Sequence, residues 1–322
     1  MMADDKSNAH SIIRFGKSVC PRSYVDALYT ALTQAGWWSL SKPMLSGMTV
    51  NGFRFSVNRR LTSESPTAYN WHAEHFLAAD FIGVTCSSNM GFNFMRTFPL
   101  YRKQAVEDIK ASIDRGLGAI IWHDEFVVVE AYDEHDGEGV LLYSDGLSEQ
   151  RKRLPYEQFG GGPSPYWYLQ VLEGRVSLDE AAVMKESFLQ AIFKWETHDL
   201  ILPKQDYACG KAAYEAIINA LGCGDYDREG AQLTFAYYAE AKRDIALYMR
   251  EAEPYFATGA AAACYEQVAE LFLQITESTI EDAERLCRLF REALHAEEQA
   301  VKQLRQLVRE EADNRFHDIG LR

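Results

Sequence analysis

A histidine pair, a Glu-x-x-His unit and a carboxylate on an apolar stripe are residues whose types and spacing could carry chemistry here. His72-Ala-Glu-His75 sets two imidazoles at i and i+3 of one helix face, where both could bind a metal ion. No cluster of Cys, Asp or Glu completes the set, so the pair reads as exposed or capping, and neither a metal nor another cofactor is expected. Glu292-Ala-Leu-His295 is the unit that builds di-iron sites in helical bundles, but such a site needs a second copy and two facing glutamates. No second copy is present, and a solvated helix face is the simpler reading. Glu297 differs from these, because it interrupts a stripe formed by Ile280, Ala283, Cys287, Phe290, Leu294, Val301, Leu304 and Val308. A carboxylate there must be paired, protonated or turned toward a cavity. Pairing with Lys242 or Arg243 is the structural reading; a polar wall of a ligand-binding site between helices or domains is the functional one.

A fourth pattern lies in the order of elements. A small polar residue starts an early helix, a polar residue leads a distant strand hairpin, and an acid ends the next strand. Such an order can place a nucleophile in the positive field of a helix N-terminus, a base opposite it, and a third group to orient the base.

The elements that must hold these residues can be read from periodicity. Helices are expected over Ser23–Ala35, where Val25, Leu28 and Leu32 recur before Gly36, over Trp71–Phe81, and over Arg102–Arg115, closed by Gly116. A strand with a possible Asn51-Gly52 turn is expected over Thr49–Val57. Further strands are expected over Gly118–Trp122, Phe126–Tyr132, Val140–Tyr143 and Tyr166–Leu172, and their short connections favour an antiparallel meander. After Gly174 strand signals vanish. Ser177-Leu-Asp-Glu180 and Ser278-Thr-Ile-Glu281 match capping boxes, and helices are expected at about 178–195, 208–221, 231–252, 260–275 and 279–312. The fold class is therefore α+β, with residues 1–174 as a mixed domain with an antiparallel sheet and 175–322 as an all-α helical bundle.

Composition restricts the partners. The 322 residues carry a formal charge of −14, which repels phosphate backbones and anionic headgroups, so nucleic acid and membrane partners are not expected. With 47% hydrophobic residues the chain can bury a core in each of two domains. No secretion signal and no apolar run of about 18 residues is visible. The cysteines at 20, 86, 209, 223, 264 and 287 form no CxxC pair, as expected of reduced thiols in a cytoplasmic protein.

Several stretches together resemble a known family. Ser23–Gly36 (SYVDALYTALTQAG), Leu40–Gly47 (LSKPMLSG) and Asn51–Phe55 (NGFRF) are similar to the opening of the butirosin biosynthesis protein H N-terminal family. Ile113–Trp122 (IDRGLGAIIW), Glu125–Asp133 (EFVVVEAYD) and Leu154–Phe159 (LPYEQF) resemble its central strands and closing segment. The likeness spans roughly residues 15–172. It implies a papain-like fold of the cysteine-peptidase-like superfamily. In catalytic members it implies acyl transfer from a carrier-protein thioester to an amine, or peptide cleavage, through a cysteine and a histidine.

At the family's cysteine position this chain has Ser23, with Cys20 one helical turn earlier; at the histidine position it has Glu125; the third position is Asp145. A serine is a weaker nucleophile than a thiol at neutral pH, and a glutamate is a poor base unless burial raises its pKa. Three readings follow: a serine enzyme with a tuned Glu125, a thiol enzyme using Cys20, or an inactive relative whose pocket binds a small molecule or a partner protein. His123 is a further candidate base if a bulge turns it inward, since it shares a strand face with Glu125. The catalytic readings imply an acyl carrier protein or a small-molecule substrate as partner.

Overall fold

The computed structural model describes residues 23–135, 138–145 and 150–317. In chain order its first elements are α1 (Tyr24–Gln34), α2 (Lys42–Met48), β1 (Ser56–Asn58), α3 (Trp71–Phe81), β2 (Val84–Phe92), α4 (Phe98–Asp114), β3 (Ala119–His123), β4 (Glu125–His135), β5 (Glu138–Ser144) and β6 (Lys152–Pro155). They are followed by β7 (Tyr166–Arg175), α5 (Glu180–Glu196), β8 (Tyr207–Cys209), α6 (Lys211–Cys223), α7 (Arg228–Glu251), α8 (Gly259–Glu277) and α9 (Ala283–His317). The chain is thus mixed helix and sheet with an antiparallel sheet and a helical C-terminal part.

Two compact units divide these elements, one holding the chain up to Ser39 with Thr85–Arg175, the other Leu40–Val84 with Val176–Arg322. The expected boundary after residue 174 matches one crossing between them. The segment Leu40–Val84, expected in the first domain, is instead part of the second unit. Its physical anchor is close packing: a Cβ on Gly47 of α2 would lie 2.1 Å from the Tyr248 ring of α7, so only glycine lets these helices approach so closely.

In the first unit a six-stranded sheet has the order β2-β7-β3-β4-β5-β6. Antiparallel pairing joins β7 to β3, β3 to β4, β4 to β5 and β5 to β6. Registers such as Ile121↔Val127, Val129↔Tyr143 and Leu141↔Leu154 stack the side chains of one face on α4, where Ala105, Val106 and Ile109 are buried. The opposite face carries α1. Tyr24, Ala27, Leu28, Ala31 and Leu32 repeat at helical spacing and are all buried, and Gly36, with φ +67°, ends the helix as its position predicts.

In the second unit α5 to α9 form the expected helices, joined by α2, α3 and a two-stranded ribbon in which Ser56, Val57 and Asn58 pair with Cys209, Ala208 and Tyr207. The strand expected over Thr49–Val57 is shorter, because Asn51–Phe53 form a 3-10 turn before β1. Phe55 is the centre of this unit's core, with the rings of Tyr214 and Tyr238 at 4.7 Å and that of Phe272 at 6.0 Å, all edge-on. Both expected capping boxes in this part resolve differently. Asp179 caps α5 through Ala181 N, and Asp282 accepts from Arg285 N at the start of α9, while Ser278 closes α8.

Candidate functional site

The expected nucleophile, Ser23, is the N-cap of α1. Its hydroxyl accepts from the Asp26 amide at 3.2 Å and donates to the Asp26 carboxylate at 2.6 Å, while that carboxylate also accepts from Ser23 N. This is a closed capping box, a sufficient structural reason for a serine at this position. The next residue, Tyr24, donates to Gln170 Oε1 at 2.9 Å and packs edge-on to Phe126 at 5.7 Å. Ser23 therefore sits on the sheet face that carries Phe126 and Gln170.

His123 and Glu125 belong to the other face. They are a register pair across the β3–β4 turn, in line with Ile121↔Val127 and Ala119↔Val129, which face α4. The turn closes at Asp124 with φ +64°, and the register runs unbroken from residue 119 to 129, so no bulge rotates His123 toward α1. The β4 irregularity falls later, between Val129 and Ala131 on the β5 side. His123 packs edge-on to Tyr143 at 5.3 Å.

Asp145 follows β5 on the same face as Tyr143, is buried, and forms an ion pair with Lys152 of β6. Burial raises the Tyr143 hydroxyl pKa, opposed by Lys152 and reinforced by Asp145 and Glu125; the hydrogen bond to Asp145 raises that of Lys152. The fold thus gathers His123, Glu125 and Asp145 into one polar cluster with Tyr143 and Lys152. It leaves Ser23 on the opposite face, with Phe126, whose ring contacts Trp122 and Tyr168. Cys20 lies outside the described residues.

Glu297 is buried in the second unit's core and accepts from Lys242 Nζ at 2.6 and 2.8 Å and from the Tyr214 hydroxyl. Lys242 also lies 4.8 Å from the Phe55 ring centroid. Burial, with the Glu297 charge beside it, pushes the Tyr214 hydroxyl well above its usual pKa and keeps it a donor. Lys242 is one of the two partners the sequence suggested, and the pair is buried within the core. Glu292 and His295 are exposed, as a solvated face requires.

A cavity of about 260 Å³ opens elsewhere in the second unit. Its floor includes Arg54 and Cys209; one wall is the first turn of α3 at Ala73 and Glu74, and the other is the end of α5 at Phe193 and Lys194 with the loop through Ile201. Arg54 is only 6% exposed. Its guanidinium stacks on the Tyr69 ring, Cζ 3.5 Å from the centroid, and donates to Asn51 Oδ1 at 3.1 Å and to the Tyr237 hydroxyl at 3.4 Å. Its Nε is buried without a hydrogen-bond partner. Lys194 and Glu74 form an ion pair on the walls. Burial raises the Cys209 thiol pKa, making it a slow nucleophile. Arg54 carries a signal in the sequence: within NGFRF it is a cation flanked by two phenylalanines, and a buried cation calls for explanation as much as a buried carboxylate.

His75, of the histidine pair, is fully buried next to this floor, its Nε2 2.9 Å from the Tyr69 hydroxyl. Among the described residues no group of three or more His, Cys, Asp or Glu could hold a metal ion, and no helix is long and apolar enough to cross a membrane. Burial, reinforced by the Arg54 charge, lowers the His75 pKa well below its usual value. An unfolded histidine titrates near about 6.5. Below that pH the unfolded chain binds a proton that the folded one excludes, so stability falls as the pH drops, by up to ~1.4 kcal/mol per unit. Urea unfolding at pH 7 and pH 5 is expected to show this loss in the wild type and a smaller one in His75→Gln; equal losses would assign the effect to other groups.

A comparison with known protein families finds no family whose profile matches the chain, and one with curated proteins finds no significant match.

Proposed function

We propose that this chain is a ligand-binding protein: its first unit is a papain-like relative of the butirosin protein H N-terminal family that no longer performs acyl transfer, and its second unit takes a small molecule into the Arg54 cavity. The observation that carries this reading is the split of the described catalytic candidates across the sheet. Ser23 caps α1 on one face, while His123 and Glu125 project from the other and are committed to Tyr143 and its neighbours. General-base activation needs hydrogen-bond reach between nucleophile and base. A β-sheet between them removes it.

The binding half rests on the cavity. It is concave, mostly apolar and supplied with a few polar groups, the usual make-up of a small-molecule site. The same reading retains the small molecule as partner and gives no role to an acyl carrier protein.

The test is affinity selection. A mixture of small metabolites is equilibrated with the wild type and with Ala73→Trp, whose indole fills the cavity from an exposed helix position, and retained species are identified by mass spectrometry. Retention by the wild type and loss in the variant is expected. Equal retention by both would move the site elsewhere, and no retention by either would remove the binding function.

A further inference from the structure

Independently of the cavity, we infer that the protein self-associates through the outer edge of β2, two copies joining their six-stranded sheets by antiparallel pairing of this strand about a two-fold axis. The sheet ends in two edge strands, β2 and β6. An edge offers amides and carbonyls to any extended chain, and proteins that avoid such pairing guard it with charged side chains or proline. β6 is guarded: Lys152-Arg-Leu-Pro155 holds two cations and a proline that lacks an N–H. β2 is not. Its nine residues, Val84-Thr-Cys-Ser-Ser-Asn-Met-Gly-Phe92, include neither a charge nor a proline. The Asn93 amide donates inward, to the Pro165 carbonyl at 2.8 Å, so alternation along the strand turns the backbone groups of Phe92 and Met90 outward. There the Met90 amide meets Oδ1 of its own neighbour Asn89 at 3.1 Å, a local acceptor that an incoming carbonyl can replace.

A second copy is the occupant that charge and area favour. A chain with a net charge of −14 resists its own kind over most of its surface, since 47 acidic residues are spread along it. None lies between Asp80 and Glu107, the stretch that contains β2 and the turn after it. At that turn Phe92, Phe94, Met95 and Tyr166 are all exposed, Phe94 at 69%, with the Phe92 ring 5.1 Å from that of Phe94 and 5.2 Å from that of Tyr166. Asn93 holds the turn in place, its Nδ2 donating to the Gly160 and Ser164 carbonyls, each at 2.9 Å. At about 200 Å² for each large side chain, these four leave about 400 Å² of apolar surface in water, a patch of the size that marks an interaction site. An antiparallel neighbour brings a second such patch, and with the two strand edges the buried total passes the roughly 1,000 Å² that a specific interface needs. It does so narrowly. The dimer is therefore expected to dissociate in the micromolar range.

Sedimentation velocity of the full chain from about 1 to about 200 μM, at physiological salt, should show a shift from mostly monomer to mostly dimer. Hydrogen exchange followed by mass spectrometry locates the contact: exchange over residues 84–95 is expected to slow at the highest concentration, while exchange over Lys152–Pro155 does not change. Phe94→Glu, at an exposed position, puts a carboxylate into the patch and should weaken dimerisation at least about tenfold. Met90→Pro removes an outward N–H and should act in the same direction. Should Met90→Pro fail to fold, Phe94→Glu and the exchange readout still decide the matter. A monomer at every concentration would overturn the inference. So would a dimer that Phe94→Glu leaves equally tight, or one whose formation leaves exchange over residues 84–95 unaltered.

Discussion

Glu297→Gln is expected to be among the most damaging single substitutions in this protein, costing about 3–5 kcal/mol. The change is nearly isosteric, so lost packing is not the cause. It removes the charge bonded to Lys242, which is 1% exposed and would be left as a cation among Phe55, Phe272 and the other core rings. The Tyr214 hydroxyl would lose a charged acceptor at the same time. In a domain of this size the loss corresponds to a fall of roughly 10 °C in Tm. Lys242→Met combined with Glu297→Leu removes both charges together and is expected to recover most of that stability, since a buried ion pair replaced by apolar groups is often neutral or better. Differential scanning calorimetry of the single and double variants checks both statements. A single variant within about 1 kcal/mol of the wild type would mean that Glu297 is protonated or wet in the native state.

A fragment containing only residues 175–322 is expected not to fold cooperatively, even though it contains every long helix of the second unit. It lacks Phe55, Val57 and Leu61, all at most 2% exposed in that unit's core, and α2, whose Gly47 seats Tyr248. It also lacks β1, leaving β8 without its ladder partner, and leaves the Tyr238 hydroxyl without the Ser56 carbonyl to which it donates at 2.6 Å. Phe55 alone contacts three rings, and Phe→Ala changes at such core positions cost about 3–5 kcal/mol. Losing the whole segment exceeds the usual stability margin of about 5–15 kcal/mol. Far-UV circular dichroism and urea titration of the fragment should show helical content without a sharp transition. A sharp, reversible transition would show that Leu40–Val84 is dispensable.

The helices were legible because their signals are local. In α1 and in α5 to α9 the apolar period, the caps and the terminating glycines act within one or two turns. The sheet strands β3, β4, β5 and β7 were readable from β-branched and aromatic runs. Elements with weak signals of their own escaped: α2, the short β6 and β8, whose existence depends on a partner strand, and the nine-residue β2, whose run Cys86-Ser-Ser-Asn89 carries little strand signal, while β1 was read only as the end of a longer strand. The assignment of Leu40–Val84 was hidden for the same reason: nothing in LSKPMLSG states that its glycine will meet a tyrosine some 200 residues later. The pattern named Ser177 as the cap of α5, and Asp179, two residues on, does the capping.

The expected site shows a similar limit. Chain order placed polar residues at plausible positions, yet function depends on which face of a strand a side chain occupies, and one residue of register reverses it. Phe126, not Glu125, faces the α1 side. Glu297 was singled out because a lone carboxylate breaks an apolar period, and of the two partners named on the same logic, Lys242 and Arg243, the structure takes Lys242. Arg54 broke an apolar run just as clearly.

The most direct measurement of the central claim, that Ser23 caps a helix and does not attack an acyl group, is covalent trapping. The full chain is incubated with an excess of a simple acyl thioester such as S-acetyl-N-acetylcysteamine, and Ser23 acylation is quantified by peptide mass spectrometry beside Ser23→Ala and Glu125→Gln. No acyl group on Ser23 above background, and thioester loss equal in all three proteins, is the expected result. Stoichiometric acylation of Ser23, abolished by Ser23→Ala and strongly slowed by Glu125→Gln, would contradict it.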